Sequence, residues 1–293
     1  MPAGQPFTQL CRAMAQANPT ARVDLHMHTT CSDGLYTPAQ IVDLARRSGL
    51  PAISITDHDT FAAIPIARGI AGAALEIIPG VEISTVHEGR ELHLLAYFVR
   101  LDCEPLNLAL DRICRQRRER FFAMAERLRG LGVALDDAAL NAAATDHSLG
   151  RRHLAHLLVK ERKTASVRQA FQRYLGDEGK VALPKARLET ATAIGLVREA
   201  GGVASWAHPN ADCTWDALRG LYNSGMRALE VDWPTARPNR VKQLREWAGL
   251  LGMAVTGGSD CHGPDDARRT IGACGVTMEE LARLRRIALG CDR

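Results

Sequence analysis

The segment Val23-Asp24-Leu25-His26-Met27-His28 places two histidines two residues apart at the end of an apolar run, with Asp33 five residues beyond. Alternate side chains of a strand point to one face, so His26 and His28 can converge on a single ion. Taken alone, the pattern also fits a half-buried strand that happens to carry two histidines. The chain then repeats the chemistry. Residues 52–56 read as a buried strand that runs into Asp57-His58-Asp59. Residues 77–83 carry Glu82, residues 91–97 carry His93, and residues 203–209 carry His208. Residues 253–262 end on Asp260 and His262, again at strand spacing. Strands that all deliver imidazoles or carboxylates at one end describe a barrel with its site at the C-terminal mouth.

The donors are imidazole nitrogen and carboxylate oxygen, a set that suits Zn, Mn or Fe. Six histidines with Asp33, Glu82 and Asp260 exceed the coordination of one ion, so two or three metals are expected. Clustered divalent ions acidify a bridging water and neutralise charge on a phosphoryl oxygen. Asp57 and Asp59 flank His58 and fit two readings, as carboxylates that orient imidazoles or as caps of a helix beginning near Thr60.

No run of eighteen apolar residues is present, which excludes a membrane-spanning helix. Residues 1–20 lack a basic start followed by an apolar core, and read as an N-terminal extension without a secretory signal. Eight cysteines occur with no C-x-x-C pair, which points to free thiols in a reducing, cytoplasmic setting. Cys31 and Cys261 lie inside the metal-type motifs and read as packing residues.

Strand signals vanish between residues 101 and 186. Residues 106–131 have the apolar spacing of one long helix ended by Gly130 and Gly132, and shorter helices are expected over 151–160 and 167–175. The expected organisation is a barrel from 21–100 and 187–293, interrupted by a helical insertion at 101–186. That insertion holds sixteen lysines and arginines against eleven acids, a net of +5, whereas the whole chain is +4. The positive excess therefore belongs to the insertion, as suits a basic lid over a polyanionic substrate. Arg151 and Arg152 stand at an expected helix start, where paired guanidinium groups and free backbone N–H groups can grip phosphate; Lys180 is expected at the same pocket. His153 and His156 fall outside the barrel motifs and are read as structural or substrate-facing.

Together, HMHTTCSDG, ITDHD, PGVEIS, ELHLLAYF, AHPN and GGSDCHG resemble the PHP family, named for polymerase and histidinol phosphatase. The resemblance implies a distorted (β/α)7 PHP barrel and a trinuclear centre of divalent ions, with Mn2+ the first expectation and Zn2+ or Fe2+ served by the same ligands. By position, His26, His28, Glu82 and Asp260 would hold one metal. Glu82, His93 and His208 would hold a second, and Asp33, His58 and His262 a third. Glu82, His208 and Asp260 would be the catalytic set. The helical insert and GGSDCHG further resemble the branch of nucleoside 3′,5′-bisphosphate phosphatases and the related 5′→3′ exoribonuclease. This implies removal of a 3′ phosphate from adenosine 3′,5′-bisphosphate, or trimming of short 5′-phosphorylated RNA. Arg151, Arg152, Lys180 and Asn210 would then contact substrate, with no membrane or protein partner. The alternatives are a histidinol-phosphate or other small-molecule phosphatase, a metal-dependent amidohydrolase, and a non-catalytic PHP module.

Overall fold

The structure, a computed structural model, describes residues 22–145, 148–185, 187–211 and 213–291. The expected extension at 1–20 lies outside the described residues. Among the described residues, no helix is long and apolar enough to cross a membrane.

The chain opens with β1 (Arg22–Val23), which pairs antiparallel with β9 (Val276–Thr277). Helix α1 (Pro38–Arg47) starts where Thr37 and Gln40 form a reciprocal capping box and Pro38 sits in the first turn; its buried stripe is Ile41, Val42 and Ala45. Then come β2 (Ala52–Ile55), α2 (Ala63–Ala71), β3 (Glu76–His87) and β4 (Arg90–Tyr97). Beyond the helical segment follow β5 (Leu188–Glu189), α7 (Thr190–Glu199), β6 (Val203–Trp206), α8 (Trp215–Asn223), β7 (Ala228–Asp232), α9 (Pro238–Leu250), β8 (Ala254–Gly257), β9 and α10 (Met278–Ala288).

The sheet runs β2-β3-β4-β6-β7-β8, with β5 beside β3. Residues 24–28 fill the gap between its two edges. Asp24 O accepts from Ser54 N at 2.9 Å and Met27 O from Thr56 N at 2.9 Å. On the other side, Leu25 N donates to Gly257 O at 3.0 Å and His28 N to Cys261 O at 2.9 Å. Seven staves therefore close a barrel, the distorted (β/α)7 form expected. The distortion is β4, which runs antiparallel to both β3 and β6, so no crossover helix separates it from β3.

Alternation along the strands sorts the side chains. On β4, Leu95 and Tyr97 join Val23, Leu25, Ile78, Ala228 and Ala254 in the lower interior, whereas Leu92, Leu94 and Ala96 face the surrounding helices. Glu82 lies four residues along β3 from Ile78, on its face, and His93 two residues along β4 from Leu95. The apolar floor thus gives way to ligand-type side chains on the same faces, one or two steps up each strand.

Between β4 and β5 lie α3 (Glu104–Gly130), α4 (Asp137–Ala143), α5 (Arg151–Lys160), α6 (Val167–Ala170) and a wide π turn (Phe171–Leu175). The first half of α3 packs Leu106, Leu110 and Ile113 into the barrel's outer core, and the second half packs Phe121, Met124 and Leu128 into a separate core with Leu154, Leu158 and Leu175. Each of those buried leucines or isoleucines is worth roughly 1.5–3 kcal/mol relative to exposure. One helix therefore belongs to both cores.

Candidate metal centre

Nine side chains converge at one mouth of the barrel, formed by the C-terminal ends of the parallel staves and the N-terminal half of the antiparallel β4. His26 and His28 come from the first stave, Asp33 from the loop after it, and His58 from the end of β2. Glu82 and His93 come from β3 and β4, His208 follows β6, and Asp260 and His262 follow β8. Glu82 is the hub. Its Oε1 lies 2.8 Å from His93 Nδ1 and 3.1 Å from His208 Nε2. Its Oε2 lies 3.2 Å from His28 Nε2, 3.2 Å from His58 Nδ1 and 3.4 Å from His26 Nε2. Asp260 Oδ1 lies 3.4 Å from both His28 Nε2 and His262 Nδ1. Asp33 Oδ1 lies 3.3 Å from His262 Nε2 and 3.9 Å from His58 Nε2.

These contacts fall into four overlapping groups able to hold an ion: His28, Asp33, His58 and His262; His26, His28 and Glu82; His26, His208 and Asp260; and His58, Glu82 and His93. The division differs in part from the expected one, because His208 groups here with His26 and Asp260 while also touching Glu82. The donor atoms fit cations. His28 Nδ1, Asp33 Oδ1 and His58 Nδ1 are buried and, beyond such charge contacts, make no well-aligned hydrogen bond among the described residues, which leaves their lone pairs available to a cation.

The charges point the same way. Burial works against ionised carboxyls at Glu82 and Asp33, yet surrounding imidazoles hold both well below the usual carboxylate range. Burial also works against a charged His26, but Glu230 and Glu82 outweigh it and lift the imidazole to about 10. The same contest at His93, decided by Glu82, ends at about 9, whereas burial and the neighbouring His28 push His262 down to about 4. Ionised oxygens packed against imidazoles that compete for positive charge form a site built for cations.

Local backbone makes this density possible. A Cβ on Gly258 would lie 2.3 Å from His26 N, and one on Gly34 would lie 2.4 Å from His28 O, so the GGSD and SDG motifs need glycine for close approach. His208 and Asp260 adopt φ of 32° and 47°, a left-handed conformation that non-glycine residues hold only where surrounding structure imposes it.

The supporting carboxylates differ from those expected. Asp57 accepts from Thr29 N and Thr29 Oγ1 at 2.6 Å and from Ser32 Oγ at 2.5 Å, so it braces the turn after His28. Asp59 accepts from Ser84 N, Ser84 Oγ and Arg117 Nε at 2.8, 2.9 and 2.8 Å. Neither bonds an imidazole, and neither caps α2, which has no side-chain cap; Thr60 Oγ1 accepts from Ala62 N, just before the helix, at 3.2 Å. The imidazoles are oriented instead by Glu230, 3.0 Å from His26 Nδ1 and bonded to His208 N, and by Glu91, 3.2 Å from His93 Nε2. Sequence reading missed both; the available signal for Glu230 was a carboxylate inside the apolar run Ala228-Leu229-Glu230-Val231.

Above the cluster opens a cavity of about 630 Å³, within the range of small-ligand sites. Six of its cations come from the helical segment: Arg117, Arg120, Arg151, Arg152, Arg168 and Lys185. Arg269 comes from the loop after β8, where it is bonded to Asp260. Arg151 also bonds Asp177 Oδ1 at 2.8 Å and Leu175 O at 2.9 Å. Lys180 is exposed and outside the lining, because Val181 beside it is buried in the helical core; Lys185 lines the wall and bonds Glu91. Asn210 is exposed and outside the lining as well, its carbonyl accepting from Arg240 at 2.7 Å. Cys31 and Cys261 are buried in the core around α1, α2 and β2.

Residues 24–176 of the chain, more than half of it, match the PHP domain family. The chain belongs to that family. This PHP protein is 33% identical over 260 residues to the 5′-3′ exoribonuclease Rnm of Salmonella typhimurium, an alignment spanning 86% of this chain and 89% of that one. It is 29% identical over 266 residues to the 3′,5′-nucleoside bisphosphate phosphatase of Chromobacterium violaceum, across 86% and 91% of the two chains. A solved structure from Bifidobacterium adolescentis, assigned as a metal-dependent phosphoesterase, shares the PHP fold with a TM-score of 0.85 and 27% identity over 92% of this chain and 97% of that one.

Proposed function

We propose that this PHP protein is a metal-dependent phosphoesterase that hydrolyses the 3′ phosphate of nucleoside 3′,5′-bisphosphates, adenosine 3′,5′-bisphosphate giving AMP and phosphate, and that the same site trims short 5′-phosphorylated RNA from its 5′ end. The observation that carries the reading is Glu82 facing five imidazoles beneath a cavity walled by arginines. The relatives named as an exoribonuclease and a bisphosphate phosphatase support it, because both reactions break a 3′ phosphoester on a nucleotide that bears a 5′ phosphate.

His26, His28, Asp33, His58, Glu82, His93, His208, Asp260 and His262 would hold two or three divalent ions, with Mn2+ the first candidate. Such ions, when bound, acidify a water for attack on phosphorus and neutralise phosphoryl charge. Glu82 positions the centre by reaching imidazoles on both its oxygens. Arg269 holds one oxygen of Asp260 and leaves the other facing His26 and His28. His208, with about a quarter of its side chain open to the cavity and Nε2 on Glu82, would complete the ligand set on the side where the 3′ phosphoester lies.

Residues 101–186 serve as a substrate-binding lid, and Arg151 and Arg152 take the 5′ phosphate. Arg152 Nε is buried without a hydrogen-bond partner, and burial together with Arg151 and Arg117 lowers Arg120 to about 10. Arg120 makes no ion pair among the described residues. Guanidinium groups crowded this way are stabilised by an anion. Histidinol phosphate, with one phosphate and its own cation, gains less from such a wall than a bisphosphate does.

The test is phosphate release by protein stripped with a chelator and reloaded with Mn2+. Adenosine 3′,5′-bisphosphate should turn over rapidly, 3′-AMP much more slowly, and the chelated protein not at all. Glu82→Gln and Asp260→Asn should abolish turnover. A preference for histidinol phosphate, or equal rates with and without the 5′ phosphate, would overturn the assignment.

A further inference from the structure

One patch of the cavity wall is apolar. Among the described residues that line it, Val167 and Phe171 are the two apolar side chains, and Phe171 is the one aromatic ring apart from the imidazoles. They stand four residues apart on α6 and the π turn, so they share a face. Phe171 begins the wide turn, and its carbonyl accepts from Gly176 N at 2.9 Å, five residues on; such turns recur at functional sites. The neighbouring rings are committed elsewhere. Phe121 and Tyr174 are buried in the helical core, Trp206 is buried in the barrel's outer core, and Phe122 lies outside the lining beside Arg118.

Phe171 also has a definite place relative to the histidine cluster. The ring is partly buried against the helical core, and the Arg151 guanidinium lies over it, 5.6 Å from its centre, so a base would share the ring with that guanidinium. Its neighbour Arg152 places Nε 3.7 Å from Asp33 Oδ2 within the cluster. Ring, arginine pair and cluster therefore follow one another along one wall. A nucleoside 3′,5′-bisphosphate has three arms of matching chemistry: a flat base, a 5′ phosphate and a 3′ phosphate.

We propose that Phe171, backed by Val167, is the platform on which the nucleobase of the substrate stacks; this rests on the nucleotide reading above and adds what selects a nucleotide over a bare sugar phosphate. Every base has a π face, so stacking on one ring is tolerant of base identity. No asparagine or glutamine is among the lining residues to read an adenine edge by paired hydrogen bonds. By stacking, the platform accepts any of the four bases, and adenine has no paired reader on the wall.

The experiment compares kcat/KM on adenosine, guanosine, cytidine and uridine 3′,5′-bisphosphates and on ribose 3′,5′-bisphosphate, which has no base. Wild type is set beside Phe171→Leu, which keeps apolar bulk without a π face, and Phe171→Trp, which restores one. Wild type should favour the base-bearing compounds by roughly tenfold or more and rank the four bases within a few-fold of one another, as stacking energies imply. Phe171→Leu should erode that preference mainly through KM, and Phe171→Trp should recover it, with circular dichroism confirming that both variants fold. Equal losses on base-bearing and base-free substrates, or a strong preference for one base, would overturn the platform while leaving the phosphatase intact. Failure of wild type on every bisphosphate would bring down the nucleotide reading and the platform together.

Discussion

Glu230 shows how much of the site depends on a residue that touches no substrate. It is fully buried in β7, with one oxygen on His26 Nδ1 and the other on the backbone of His208. That fixes the His26 ring with Nε2 toward Glu82, the role carboxylates play behind metal-bound histidines. Glu230→Gln keeps the shape but loses the charge, and should weaken Mn2+ binding by about 10- to 100-fold, the usual effect of removing such a partner. Calorimetric titration of the stripped protein reads this directly, and excess Mn2+ should recover part of the turnover; an unchanged Kd would remove Glu230 from the metal centre. The nine cluster residues were legible because each sits in a short local motif, four of them as the strand-spaced pairs His26/His28 and Asp260/His262. Glu230 meets His26 across 204 positions of sequence, by a side-chain contact that reaches past β8 from a strand not paired with the His26 stave, and this leaves no local trace. Lys180 and Lys185 illustrate the same limit, since the burial of Val181 decides which lysine faces the wall.

At the scale of elements, α3 joins the two cores, and Arg117 sits at the changeover between Ile113 and Phe121. Its guanidinium bonds Asp59 Oδ2 at 2.8 Å, Ser84 Oγ at 2.7 Å and Leu149 O at 3.1 Å, so one side chain ties β3, the loop after β2 and the approach to α5 together. Asp59 is buried, and removing only its cation leaves an unpaired charge in the interior. Arg117→Ala should therefore cost about 3–5 kcal/mol in urea unfolding, whereas Arg117→Ala with Asp59→Asn should cost clearly less than the two single changes summed. Additive losses would show that the pair does not couple the helical segment to the barrel. The long helix and the 151–160 helix were readable from apolar spacing and from the glycines at their ends. The direction of β4 was not, because alternation has the same period in parallel and antiparallel strands. The strand β7 and the short α4 also escaped, having neither a motif nor enough length to show a period.

The whole molecule separates its charge from its chemistry. The net of +5 on residues 101–186 was countable in the sequence, but which cations meet the cavity is decided by how α3, α5 and α6 fold back over the barrel mouth. Six of the sixteen line it. They differ in exposure: Arg168 is exposed to solvent, Arg151 and Arg152 are half-buried, and Arg117 is held against Asp59. Salt screens exposed charges far more than buried ones, with a Debye length of about 10 Å at 0.1 M and about 3 Å at 1 M. Raising NaCl across that range should lift KM for adenosine 3′,5′-bisphosphate several-fold, because capture of a polyanion depends on the outer cations. The kcat should change much less, since the Glu82 cluster and the half-buried arginines act below the screened layer. Arg168→Ala should reproduce at low salt part of the KM increase that wild type shows at high salt, and should flatten the remaining salt response. Steady-state kinetics at several ionic strengths separates the cases: a KM indifferent to salt would mean that the basic wall binds substrate by shape and hydrogen bonds alone, and a parallel fall in kcat would place the screened charges at the reacting phosphate.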